Sequence, residues 1–179
     1  MRRILVTLLL LIITGQGALA SGPLGYATSP DSMLSEIGDR GAPDVAIELY
    51  DSESWRVVMQ KIEAGDRDWL LVALALFPGT DGAASEELSL TVSQALLTNP
   101  EAVLELFMTV SRPRFDLCHG WGEFAGHRTF ESAFAEVQAK IKKLEAVSDP
   151  SLAEARDACL KTLRSAEPEL RRIYSESSD

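Results

Sequence analysis

The chain reads as an all-α protein, six to eight short helices in a compact helical-hairpin array with the C-terminal helices tied by one disulfide. Three observations predict this. Apolar residues recur at i, i+3, i+4 and i+7 in segment after segment. No stretch alternates apolar and polar residues with period two. Pro, Gly, Asn and Asp fall between the periodic segments, where helices start and stop.

The order of elements follows from these signals. Arg2 and Arg3 precede an apolar run from Ile4 to Ile13, and Ala18-Leu19-Ala20 places small residues where a signal peptidase reads them. Residues 1–20 are therefore expected to be a Sec-type signal peptide, cleaved after Ala20. The run is shorter than the roughly twenty residues a spanning helix needs, so no membrane span is expected after cleavage. Residues 21–31 are rich in Gly and Pro and read as a flexible leader. A single helical domain follows over 32–175, with 176–179 as a tail. Its first helix is expected from Met33 to about Asp39, stopped by Gly41. Pro43 opens the next, with Asp44 and Glu48 behind it. Trp55, Val58, Met59 and Ile62 mark an amphipathic helix that Gly65 ends as a left-handed cap. Asp66 caps a helix whose interior, Trp69 to Phe77, is apolar on every side, which predicts the central, most buried element.

Pro78-Gly79-Thr80-Asp81-Gly82 is a turn, with Asp81 as the expected N-cap of a helix carrying Leu88, Val92, Ala95 and Leu96. Asn99-Pro100-Glu101 is a second start signal: a capping side chain, Pro in the first turn, and an acid near the helix's positive end. Residues 112–126, with three glycines and the first cysteine, are the least regular stretch. Phe130, Phe134, Val137, Ile141 and Leu144 then trace a longer stripe. Ser148-Asp149-Pro150 ends that helix and begins another, with Ser151 and Glu154 as an alternative capping box. Leu152, Ala155, Cys159 and Leu163 share its inward face. Pro168 opens a short final helix through Leu170 and Ile173.

Composition narrows the function. The chain holds 17 Lys and Arg against 27 Asp and Glu, a net charge of −10. Loss of Arg2 and Arg3 with the signal makes it −12. Such a surface repels nucleic acid and anionic membranes and attracts a basic partner. Asn99, followed by Pro, is the only asparagine, so no N-glycosylation sequon exists. Arg outnumbers Lys twelve to five, and Ala and Leu abound. With the export signal, this predicts a bacterial source with a GC-rich genome and a periplasmic or secreted destination. There the two cysteines, Cys118 and Cys159, are expected to form a disulfide. Two unpaired thiols are the other possibility, with Cys159 a small apolar core residue.

Pro43-Asp-Val-Ala-Ile-Glu-Leu-Tyr50 and Pro100-Glu-Ala-Val-Leu-Glu-Leu-Phe107 match in residue type throughout, at an offset of 57 residues. Two amphipathic helices that each begin with Pro will look alike without common ancestry. A short hairpin stack with a concave binding face is the functional reading. The stretch carrying Trp55, Ile62, Gly65-Asp66, Trp69-Leu70, Pro78-Gly79-Thr80-Asp81, Ser85-Glu86, Ala95-Leu96, Asn99-Pro100 and Val103-Leu104 resembles small exported proteobacterial all-helical proteins of unknown function with HEAT-like hairpins. The resemblance covers under half of the mature chain. It implies a HEAT-like packing pattern and carries over no catalytic residue.

One cluster has the residue types for chemistry. Cys118-His119-Gly-Trp121-Gly-Glu123-Phe-Ala-Gly126-His127 holds both histidines with a carboxylate between them. His119, Glu123 and His127 could ligate zinc if the loop folded back on itself, but the spacing matches no established zinc motif. A disulfide at Cys118 would remove it as ligand or nucleophile. No Gly-x-Ser-x-Gly elbow, Ser-x-x-Lys or Gly-Lys phosphate loop occurs. The carboxylates near helix starts suit the dipole better than paired acid–base work. No cofactor or resident metal is expected. Trp55 and Trp69 lie at helical spacing and belong in the core. Trp121, with His119, Glu123, His127 and Asp81, is the expected partner-contact set.

The expected function is an exported, periplasmic, non-catalytic protein-binding module, in one concrete form an immunity-type inhibitor of an envelope-targeted toxin. The alternatives are a structural or adaptor component of the cell envelope, and a hydrolase or metal-binding protein using the 118–127 loop.

Overall fold

The computed structural model of the protein describes residues 29–109, 118 and 129–176, and every described segment of regular structure is helical. The first helix, α1, spans Pro30–Arg40. It starts three residues before Met33, inside the segment expected to be leader. Ser29 explains the difference: its side-chain oxygen accepts from the backbone N–H of Ser32 at 3.2 Å, and Pro30 sits in the first turn. Gly41, at φ 88°, closes α1 and leads directly into α2, Ala42–Tyr50.

The third helix, α3, Ser54–Glu63, buries Trp55, Val58, Met59 and Ile62, the stripe its spacing predicts. Gly65 follows at φ 73°, and two corners of the chain meet there. A Cβ at Gly65 would lie 2.6 Å from the Asn99 Cβ. The Asn99 amide donates to the Gly65 carbonyl at 2.8 Å, while its Oδ1 accepts from the N–H of Ala102 at 3.2 Å. The Thr98 hydroxyl donates to the Glu63 carbonyl at 2.9 Å. One asparagine thus caps its own helix and anchors the end of another.

The Asp66 carboxylate caps α4, Arg67–Leu76, by accepting from the N–H groups of Asp68 and Trp69 at 3.0 and 3.3 Å. Helix α4 packs against α1, α2, α3, α5 (Gly82–Gln94) and α6 (Pro100–Thr109), so it is the hub its apolar sequence predicts. It is not covered on every side, because Leu71 remains 43 % exposed. Consecutive helices also pack on one another, α1 on α2, α2 on α3 and α3 on α4, which gives the hairpin array.

The C-terminal part adds α7 (Phe130–Glu145), α8 (Ala153–Arg164) and α9 (Ala166–Glu176). Helix α7 packs on both α8 and α9, and α8 packs on α6. Thr129 caps α7 through Ser132. At the next corner Asp149, not Ser151, is the cap. Its Oδ1 accepts from the N–H and hydroxyl of Ser151 at 2.8 and 2.7 Å, and these bonds hold its carboxyl below the usual carboxylate range. A 3-10 turn, Pro150–Leu152, then leads into α8. Pro168 lies in the first turn of α9, whose end reaches one residue into the expected tail.

Cys118 and Cys159 form a disulfide, with Cα atoms 5.2 Å apart and both residues 1 % exposed. Cys159 lies with Leu152, Ala155 and Leu163 on the buried face of α8, as the spacing requires.

Candidate functional site

A shallow groove of about 190 Å³ lies between α2 and the segment running from Gly79 into α5. Its α2 wall carries Ala46, Ile47, Tyr50 and Asp51; its other wall is Gly79 to Ala84. The sequence builds it from two constraints. Gly79 packs so closely on the α1–α2 junction that a Cβ there would lie 2.2 Å from the Ala42 carbonyl carbon, so only glycine lets the turn reach α2. The following residues, Gly82, Ala83 and Ala84, are too small to fill the space.

Two large apolar side chains open onto this groove. Ile47 is 63 % exposed and Tyr50 is 40 % exposed. The Tyr50 ring stands edge-on to Trp55, with centroids 5.2 Å apart. Beneath it the Trp55 indole N–H is buried without a hydrogen-bond partner. Asp51 and Asp81 stand exposed at the rim. Asp81 occupies the N-cap position of α5, at φ −140° and ψ 169°, but its side chain makes no capping bond. Its backbone carbonyl accepts from Ser85 N–H instead, at 3.2 Å. The expected cap is thus positional only.

The two sequence-matched helices differ in cover. Both α2 and α6 pack against α4. Leu104 of α6, which matches Ile47, is 0 % exposed. Helix α6 also packs on α8 and the 150–152 turn, whereas α2 packs on α1, α3, α4 and the 77–79 turn.

A second arrangement lies in the core, and sequence reasoning missed it. Lys140, on the inward side of α7, is fully buried. Its Nζ lies 2.6 Å from the Glu136 carboxylate and donates to the Ser93 hydroxyl at 2.9 Å. The Gln94 amide donates to the same Glu136 oxygen at 2.8 Å. Burial lowers the lysine's affinity for its proton, and the Glu136 charge opposes that without cancelling it. A hydroxyl beside a lysine of lowered basicity is a nucleophile–base geometry. Here it is closed to substrate, since Ser93 is also 0 % exposed. The cluster therefore fastens α5 to α7. Its signal in the sequence is one lysine, Lys140, between Val137, Ile141 and Leu144 on an apolar stripe.

Of the expected contact residues, Asp81 lies at the groove. His119, Trp121, Glu123 and His127 lie outside the described residues. Cys118 is paired with Cys159 and so is not a thiolate ligand or nucleophile. Among the described residues no group of three or more His, Cys, Asp and Glu could hold a metal ion, and no helix is long and apolar enough to cross a membrane. Compared with known family models, curated proteins and solved structures, the chain matches none.

Proposed function

We propose that the protein is an exported, non-catalytic protein-binding module of the bacterial periplasm, acting as an immunity-type inhibitor of an envelope-targeted toxin. The observation that carries this reading is the groove, where Ile47 and Tyr50 remain in water beside the exposed carboxylates of Asp51 and Asp81. Exposed large apolar side chains beside a concavity favour a protein partner. The charge of −10 favours a basic one. The N-terminal signal pattern supports export, and the disulfide fits an oxidising compartment.

The test is affinity purification of the tagged protein from the envelope fraction of its host, with Ile47→Asp in parallel. One stoichiometric toxin, encoded beside this gene and lost with Ile47→Asp, is the expected result. A purely cytoplasmic pool, or a gene neighbourhood without any toxin or secretion gene, overturns it. A second apolar pair favours an adaptor role in the envelope: Leu71 is 43 % and Met108 50 % exposed. They lie one turn beyond the Arg67–Glu105 ion pair that joins α4 to α6. Two separate apolar faces would suit two partners, and recovery of several envelope proteins would select this reading.

A further inference from the structure

We infer that the α2–α5 groove receives a basic amphipathic helix of the partner, with an aliphatic side chain between Ile47 and the 79–84 wall and Lys or Arg side chains over Asp51 and Asp81. This rests on the binding-module reading above and adds the docking face and the chemistry of its occupant.

Three observations select the occupant. The first is the internal comparison. Ile47 and Leu104 hold matching places in two helices that both pack against α4, yet their exposures are 63 % and 0 %. The helix that carries Leu104 also carries α8, an amphipathic helix. The matching position is thus buried in a helix that carries a further amphipathic helix, whereas the Ile47 face of α2 is open. The second is space. A groove of about 190 Å³, walled by Ala46, Gly79, Gly82, Ala83 and Ala84, takes one or two aliphatic side chains. The third is charge. Asp51 and Asp81 are exposed at the rim. Among the described residues no basic side chain lines the groove. A neutral or acidic helix would desolvate these carboxylates without compensation, whereas a basic one would pair them. Nucleic acid and anionic lipid are repelled by the same rim.

Trp55 supplies a reporter, because its ring meets Tyr50 from below and Tyr50 is a wall residue. An occupant that shifts Tyr50 alters the indole's surroundings.

The experiment uses the full mature chain and three synthetic helical peptides of equal length. One has Leu at helical spacing flanked by Lys. The second has the same composition scrambled to destroy the apolar face. The third has Glu in place of Lys. The amphipathic basic peptide is expected to shift the backbone amide resonances of residues 46–51 and 79–84. It is also expected to change tryptophan emission, a change lost in Trp55→Phe. The other two peptides should bind at least tenfold more weakly. Ile47→Asp and the double variant Asp51→Lys/Asp81→Lys should each weaken binding at least tenfold while keeping the wild-type unfolding midpoint. Equal binding of the scrambled peptide, resonance shifts elsewhere, or unchanged affinity in both variants overturns the assignment. If the assignment fails while Ile47→Asp still recovers the same envelope partner as wild type, the binding-module reading survives on another face. If neither protein recovers a partner, both readings fall.

Discussion

Lys140 shows how much one residue can decide. Its side chain is fully buried, and its charge is met by Glu136 at 2.6 Å and Ser93 at 2.9 Å. Removing one member of a buried ion pair takes away the counter-charge that offsets the other's desolvation. Lys140→Met is therefore expected to cost about 3 kcal/mol, and the double variant Lys140→Met/Glu136→Gln much less. Urea unfolding of the two single variants and the double, read as a mutant cycle, checks this; near-additive losses would contradict it. The pH dependence carries a definite sign. The folded chain holds this proton less tightly than the unfolded chain, in which lysine titrates near 10.4. The unfolded state thus binds more protons in the window below that value. Stability should rise with pH as it climbs through the lowered folded value toward the unfolded one. Unfolding midpoints between pH 8 and 10.5 should show wild type gaining relative to Lys140→Met. The sequence places this lysine on an apolar stripe, but lysines on helices more often reach solvent by their flexible stems. Which hydroxyl a lysine reaches across 47 residues of chain depends on tertiary packing, so the Ser93 contact was not legible.

At the scale of elements, local chemistry specified most boundaries. Asp66, Asn99 and Thr129 cap the helices that follow them, and Gly41 and Gly65 stand at positive φ where helices end. These signals act within a few residues, so they can be read in order along the chain. Two corners depart from these signals. Asp149 displaced Ser151 because it accepts two bonds from that serine. Asp81 kept the position of a cap without the bond. Two glycines make the contrast quantitative. Gly38 lies in α1 with nothing within 4 Å of where a Cβ would stand. Gly38→Ala should stabilise the protein by about 0.5–1 kcal/mol through helix propensity and the smaller entropy of the unfolded chain. Gly65 has φ 73° and the Asn99 side chain where its Cβ would go. Gly65→Ala should destabilise by about 2–4 kcal/mol, from left-handed strain together with overpacking. Thermal unfolding of both variants tests the pair, and a stabilising Gly65→Ala would show that the two corners do not meet as described.

At the scale of the whole molecule, the helical class and the hub role of α4 were legible because both depend on hydrophobic periodicity, which the linear sequence displays. The groove was not legible, because Ile47 and Leu104 hold matching positions in two similar sequences, and which of them is covered depends on tertiary packing. The disulfide was legible from the count of two cysteines and the expected oxidising compartment, and its energetic weight follows from chain length. Cys118 and Cys159 are 41 residues apart, and both ends are buried. Linking them removes conformations from the unfolded chain, an effect the loop-closure relation places at about 4 kcal/mol for a loop of this size. Such a link restricts the unfolded state, so its loss should lower the denaturant midpoint while the helical circular dichroism of the folded state stays nearly constant. The bond also joins residue 118 to α8, which packs on α6 and α7, so its loss should be felt first in the C-terminal helices. Hydrogen exchange of the reduced protein and of Cys118→Ala/Cys159→Ala should show faster opening of α8 and α9 than of α4. Uniform acceleration across all helices would instead mean that the chain unfolds as one cooperative unit whether or not the tie is present.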